Sequence, residues 1–335
     1  MTVRFLSQAD IRKAALFFED VLRIVETSLR AHGEKRVENP PKVSVHPCAD
    51  AFITAMPAYL PTEQACGMKW VSGFPSNVPK GLPTISGIII LNDPQTGLPV
   101  AIMDGAYITA LRTVAVSVVA AKHLANTDAA VLGLVGCGVQ GKCHTVGMRR
   151  ILPSLSVVRA FDRHQPSLDS FVEEVRRQAP GLRVEICGSA EEAIRGADVV
   201  ITATGKLLSP IFKSSWVEAG ALVLPVHTQG WDDAALTEMD KVIVDDWAQF
   251  THYAGGFYHD LRPHLYAETG EIVAGVKPGR ESRSERIIDF NTGLAVHDIL
   301  MAGAVFEKAT ALGLGAELNL QDTSQAMPML EIAGA

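Results

Sequence analysis

The stretch "VLGLVGCGVQG", Val131 to Gly141, runs from apolar residues straight into three glycines spaced G-x-G-x-x-G. Glycines at that spacing are a weak signal alone, so their surroundings carry the inference. The residues before them suit a strand, those after Val139 suit a helix, and an acidic residue, Asp162, closes the next strand about 20 residues beyond Gly141. In this setting Gly136 permits the tight turn, Gly138 lets the backbone approach a pyrophosphate, and Gly141 lets helix and strand pack closely. The helix N-terminus supplies unpaired N–H groups and a partial positive charge for phosphates. Asp162 can accept from ribose hydroxyls and repels a 2′-phosphate, which favours NAD(H). Arg163 beside it is a counter-signal that leaves NADP(H) open.

Working outward from Val131, apolar strands alternate with amphipathic helices. "AVLGLV", "VVRAFD", "LRVEIC", "ADVVITAT", "ALVLPV" and "KVIVDD" read as strands, with helices across "LDSFVEEVRRQ" and "AEEAIRG". That is the pattern of a parallel sheet covered on both faces. "ITATG" places Thr202 to Gly205 at a strand's carboxyl end, where ligands of doubly wound folds lie.

The residues ahead of the glycines have another texture. Ser7 and Asp10 resemble a helix cap, and apolar residues from Ile11 to Val25 at helical spacing predict one amphipathic helix reaching about His32. After "ENPPK", the runs "VSV", "AFITAM", "GMKWVSGF", "ISGIIIL" and "LPVAIM" predict a meander of strands. Asp104 then caps a long helix over "GAYITALRTVAVSVVAAKHLA", and the tail "NTGLAVHDILMAGAVFEKATALG" is an apolar helix that packs on the first domain or on a partner subunit. Two cations stand among buried-looking positions, Lys69 in "GMKWVSGF" and Arg112 in "ALRTVAVS". Each needs a partner, and spacing alone suits an internal salt bridge or a snorkelling side chain better than a substrate carboxylate.

The 335 residues suffice for two domains, and 47% hydrophobic with 20% charged residues is an ordinary globular composition. A net charge of -7 leaves no basic footprint for nucleic acid. Five cysteines without C-x-x-C spacing suggest free thiols in a reducing, cytoplasmic setting. The N-terminus carries no signal-peptide pattern and no apolar run is long enough to span a membrane, so no membrane partner is expected. His252, His259 and His264 fit no common zinc spacing, so no metal is expected, and Tyr253, Phe257 and Tyr258 suggest a helix or loop over a cleft.

As a whole the sequence resembles the ornithine cyclodeaminase/mu-crystallin family, which also holds archaeal-type alanine dehydrogenases and imine reductases. The carrying stretches are "MPAYLP", "GMKWVSGFP", "PTISGIIILNDPQTGLPVAIMDGAYITALRT", "GLVGCGVQG", "GADVVITAT" and "GVKPG". The resemblance implies an α/β protein: a Rossmann dinucleotide-binding domain (residues 114–290) inserted in an α+β substrate-binding and dimerisation domain (residues 1–113 and 291–335), acting as a homodimer. It implies that Lys69 and Arg112 hold a substrate carboxylate. It also implies that Thr84, Arg112, Thr113, Gly136, Gly138, Val139, Gln140, Gly141, Asp162, Arg163, Thr202 and the loop Val226, His227 and Thr228 attend the dinucleotide.

Two departures shape the expected chemistry. Many members carry Arg where this chain has Lys42, a point charge in place of a bidentate fork. The acids that cyclodeaminases use fall here on Gln229 and on Met56, thirteen residues before Lys69. The expected activity is therefore NAD(P)-dependent reduction of a 2-imino acid, cyclic imine or imino-diacid, or the reverse oxidation. Lys69, or His227 in place of the missing acid, is the proton donor. Lys42, Lys69 and Arg112, with Lys80 in a nearby loop, are the candidate substrate cations. Asp232 and Asp233 suit a helix cap. The rival readings are a cyclodeaminase that releases ammonia around a bound NAD, and a mu-crystallin-like small-ligand binder.

Overall fold

The structure, a computed structural model, describes residues 1–205, 207, 209–227, 229–254, 258 and 264–321. Thr228, Phe257 and His259 lie outside the described residues, as does the side chain of Tyr253.

The chain opens with β1 (Thr2–Leu6), after which Ser7 and Asp10 cap α1 (Gln8–Lys13) reciprocally. The single opening helix expected from the sequence is corrected here. Ala14 and Ala15 donate back to the Asp10 and Arg12 carbonyls, closing the first helix before α2 (Phe18–Gly33) begins. Ile11, Ala14, Val21 and Val25 enter one core from both helices, so apolar periodicity runs straight through the break.

The meander is as the sequence suggests: β2 (Val43–Val45), β3 (Phe52–Leu60), β4 (Ala65–Gly73), β5 (Ile85–Asn92) and β6 (Pro99–Asp104) pair antiparallel in order. β1 joins beside β6 in parallel. Along β4 burial alternates, which turns Gly67, Lys69, Val71 and Gly73 inward and leaves Trp70 outward. The Tyr107 N–H donates to Asp104 Oδ1 at 3.1 Å, at the start of α3 (Ala106–Leu124). This helix leads unbroken from one sheet to the other. Ile108, Ala115 and Val119 belong to the first core, and Val114, Val118 and Leu124 to the second.

The second sheet takes β7 (Val131–Val135), β8 (Val157–Phe161), β9 (Arg183–Ile186), β10 (Val199–Thr202), β11 (Leu222–Pro225), β12 (Lys241–Val244), β13 (Leu265–Glu268) and β14 (Ile287–Phe290). Their order is β13-β12-β14-β11-β10-β7-β8-β9 and every pairing is parallel. Between the strands run α4 (Val139–Ile151), α5 (Gln165–Gln178), α6 (Ala190–Ile194), α7 (Ala234–Thr237), α8 (Trp247–Ala254) and α9 (Thr269–Val273). The chain steps from β7 out to β9 and returns at β10, which makes the carboxyl ends of β7 and β10 the topological switch point. Finally α10 (Ala295–Ala311) packs on the inner face of the meander, and β15 (Ala316–Asn319) pairs antiparallel with β1.

At the switch point a Cβ on Gly141 would sit 2.1 Å from the Gly136 carbonyl oxygen. Backbone cannot yield as a side chain can, so Gly141→Ala is expected to cost about 1–3 kcal/mol or more by overpacking. Chemical denaturation checks this, and an unchanged midpoint would show that the turn tolerates the methyl group.

Candidate functional site

The glycine turn is built from β7 into α4. Gly136 has φ +101, and a Cβ there would meet the Ala203 carbonyl oxygen at 2.5 Å, so the turn from β7 is pressed against the end of β10. Gly138, the residue before α4, is different: an added Cβ would find nothing within 4 Å. Asp162 follows β8, with Oδ2 accepting from the Cys137 N–H at 2.8 Å and Oδ1 from the His164 N–H at 2.9 Å. Its carboxylate therefore fixes the glycine turn. Val139 and Arg163 are exposed beside it.

Other candidates gather along the same edge. Thr202 is buried, its hydroxyl accepting from Trp231 Nε1 at 3.3 Å and its carbonyl from the Val226 N–H. The Gln140 side-chain oxygen, the Thr204 hydroxyl and both ring nitrogens of His227 are shielded from solvent and make no hydrogen bond of ordinary geometry. His227 stacks on Phe212 with ring centroids 5.9 Å apart. Burial pushes its imidazole down to about 4, against a smaller opposing pull from the Gln229 backbone. Asp232 does cap: its Oδ1 accepts from the Ala235 N–H at 3.1 Å, whereas Asp233 makes no side-chain cap. Thr113 turns its hydroxyl onto the Thr109 carbonyl at 2.7 Å, and the Thr84 carbonyl accepts from the Phe74 N–H at 2.8 Å.

Lys69 and Arg112 form a buried cluster with Asp298, and the half-buried Lys42 stands within electrostatic reach of it. Lys69 is fully buried and donates to Asp298 Oδ2 at 2.5 Å, while Arg112 Nε donates to Asp298 Oδ1 at 3.1 Å. Asp298 stands in the first turn of α10, where the helix dipole favours a carboxylate. Burial works to raise its pKa, yet Arg112 and Lys69 outweigh that and hold it below the usual range. Burial likewise pushes Lys69 down to about 7, opposed by Asp298 and reinforced by Arg112 and Lys42.

Lys42 donates to the Thr292 carbonyl at 2.6 Å, and burial lowers it to about 8. The loop it touches ends at Gly293, whose φ is +87 and where a Cβ would fall 2.3 Å from an Arg112 guanidinium nitrogen. That loop follows β14. It is held by Asp245, at the end of β12, which accepts from the Gly293 N–H at 2.5 Å and from Thr292 Oγ1 at 3.0 Å. Through this loop and α3, the cations are tied to the carboxyl edge of the parallel sheet. Lys80 ends the exposed 3-10 turn Pro75–Lys80 and lies outside the buried set.

The internal salt bridge that spacing suggested is present at both Lys69 and Arg112, with Asp298 as the shared carboxylate. Sequence reading missed Asp298, Asp245 and Thr109, whose hydroxyl lies 3.4 Å from Lys69 Nζ. The isolated acid in "LAVHDILMAG" was the available signal, since a carboxylate in an apolar helix needs a buried cation.

A parallel sheet with a glycine turn at its switch point, joined to a second sheet that carries a buried cation–carboxylate cluster, defines a dinucleotide-type α/β protein. Residues 2–313 match the profile of the ornithine cyclodeaminase/mu-crystallin family, and the chain belongs to that family. It is 41% identical over 316 residues to the Nodulation efficiency protein NfeD of Rhizobium meliloti, covering 93% of this chain and 97% of that one. Among solved structures it is similar to Thermococcus litoralis Δ1-pyrroline-2-carboxylate reductase in complex with NADH and L-proline. The TM-score there is 0.85 at 30% identity, over 94% of this chain and 99% of that chain. An archaeal alanine dehydrogenase dimer with bound NAD gives a TM-score of 0.86 at 32% identity, over 96% and 100% of the two chains. Relatives of this kind are NAD-dependent imine and amino-acid oxidoreductases.

Proposed function

We propose that this protein is an NAD(H)-dependent imine reductase or amino-acid dehydrogenase that transfers hydride at C2 of a 2-imino or 2-amino acid. The observation that carries the reading is the pairing of an open glycine turn with a buried cation cluster, tied together by α3 and the loop after β14. The residues present fit a dinucleotide. Gly138 leaves the space a pyrophosphate needs, and the unsatisfied Gln140 side-chain oxygen and Thr204 hydroxyl lie along the same edge. Gly136 to Gly141 would hold the phosphates and Asp162 the adenosine ribose, with NADP(H) the weaker ligand because Asp162 repels a 2′-phosphate. When bound, the nicotinamide supplies or accepts the hydride.

The chain's own residues do the rest. Arg112 and Lys69 would hold the substrate carboxylate, and their burial keeps water from the clamp. Reduction adds a hydride to C2 and a proton to nitrogen. Lys69 is the better proton donor of the two candidates, because burial leaves His227 neutral and without the proton to give. With Lys69 near 7, its protonated form declines as pH rises, so kcat/KM for reduction is expected to fall above about pH 7. A pH–rate profile flat from 6 to about 9 would remove Lys69 from the proton step.

We place substrate binding in residues 1–113 and 291–335 and cofactor binding in residues 114–290, with α3 serving both. The homodimer is proposed on the outer face of the first sheet, where Val43, Val45, Trp70 and Ile88 are exposed together. No helix among the described residues is long and apolar enough to cross a membrane.

The test is purified protein with NADH and NADPH against 2-oxo acids with ammonia or amines, and against cyclic imines. Cofactor oxidation with amino-acid product supports the reading. Proline and ammonia released from ornithine, without net cofactor turnover, would make it a cyclodeaminase.

A further inference from the structure

We infer that Asp245 is a positioning residue, which through the Thr292–Gly293 loop sets where Lys42 and Arg112 stand toward the substrate carboxylate. This rests on the hydride-transfer reading above, in which those cations face the carboxylate, and it assigns part of the substrate clamp to the edge of the parallel sheet.

The topology brings the acid and the loop together. β12 and β14 are parallel neighbours, in register at Val244 and Phe290, so both chains leave the sheet at the same carboxyl edge. The Asp245 N–H donates to the Phe290 carbonyl at 3.0 Å, which fixes the acid beside the start of the loop. The two acids that follow β12 then part. Asp246 Oδ2 meets His32 Nε2 of α2 at 3.0 Å, while the Asp245 carboxylate turns to the loop.

The loop is gripped from two sides. The Gly293 N–H donates to Asp245 Oδ2 at 2.5 Å, and Thr292 Oγ1 lies 3.0 Å from both carboxylate oxygens. Gln249, buried on α8, donates through Nε2 to Thr292 Oγ1 at 2.5 Å and to the Gly293 carbonyl at 3.1 Å. Lys42 takes the Thr292 carbonyl, at 2.6 Å. On the far side Gly293, at φ +87, presses on Arg112, where a Cβ would fall 2.3 Å from the guanidinium. Shifting the loop therefore shifts the anchor of one cation and the backing of the other. Asp245 also acts by charge: of the acids that oppose the effect of burial on Lys42 it is the strongest, ahead of Asp298 and Asp246, with Arg112 acting the other way. Burial pushes Asp245 itself up to about 6, a penalty that an uncharged side chain would avoid. A carboxylate earns its place here by accepting from several donors at once and by attracting Lys42.

The experiment measures steady-state kinetics of the purified protein with NADH and whichever of pyrroline-2-carboxylate or pyruvate with ammonia it turns over, beside NADH affinity by fluorescence. Asp245→Asn is expected to raise KM for that substrate about 10-fold, because an amide has one acceptor oxygen for donors that now reach two. The same variant should keep kcat and NADH affinity within about threefold of the parent, since a carboxylate clamp binds ground and transition states alike. In a Lys42→Met background Asp245→Asn is expected to add no more than about threefold, because one of its two targets is already gone. Thr292→Val removes the hydroxyl between Asp245 and Gln249, leaves the carbonyl for Lys42, and is expected to raise KM about threefold. It carries the test where Asp245→Asn does not fold. An unchanged KM in either folded single variant, an equal rise in both backgrounds, or an NADH affinity that falls in step with substrate affinity overturns the inference while the hydride-transfer reading stands. Absence of turnover by the parent protein overturns both.

Discussion

Lys69→Ala is expected to lower kcat/KM for imine reduction by about 10³-fold, combining loss of a proton donor with loss of half the carboxylate clamp. Cofactor affinity should stay within roughly threefold, because the glycine turn lies on a different sheet. Stability will not stay unchanged. Asp298 is fully buried and would keep only Arg112, so about 3–5 kcal/mol of destabilisation accompanies the change. Lys69→Met keeps the buried volume filled while removing the charge and leaves Asp298 with Arg112, so comparing its melting temperature and activity with those of Lys69→Ala separates packing from loss of the cation. Full activity in a folded Lys69→Ala protein would mean that the cluster is a structural salt bridge and nothing more.

Gly138→Val is the complementary change, with cofactor affinity expected to fall by about 100-fold. A side chain there meets no protein atom within 4 Å, so thermal stability without ligand should hardly move. The space it would fill is where phosphates must approach the N-terminus of α4. Fluorescence titration with NADH, read beside melting temperature, distinguishes the outcomes. Unaltered NADH affinity would show that the dinucleotide does not cross this turn. Gly141→Ala should behave oppositely, losing stability first, because its added methyl group collides with backbone.

The parallel sheet was legible because β7, β8, β10, β11 and β12 are apolar runs separated by amphipathic helices. β14 escaped notice since four buried residues after a long polar segment give no periodicity, and it inserts between β11 and β12 out of chain order. β1 and β15 escaped for another reason: they pair only with each other and with β6, at opposite ends of the chain. Within the site, Lys69 and Arg112 stood out as cations in apolar surroundings. Their partner Asp298 lies 229 residues from Lys69 in sequence, and spacing cannot reveal a contact of that separation. Asp162 was expected to serve a ribose, and the structure adds that the same carboxylate holds the Cys137 and His164 amides. With the proposed ribose role, these contacts predict that substitutions of Asp162 disturb the turn as well as cofactor preference.

The most direct test of direct hydride transfer at C2 is isotopic. The purified protein is given nicotinamide cofactor carrying deuterium at the transferable C4 position, together with pyrroline-2-carboxylate or pyruvate and ammonia, and the product is analysed by mass spectrometry and proton NMR. One deuterium at C2 of the amino acid for each cofactor oxidised is the predicted result. Cofactor oxidation without label at C2, or amino-acid product formed while the cofactor remains unconsumed, would contradict it.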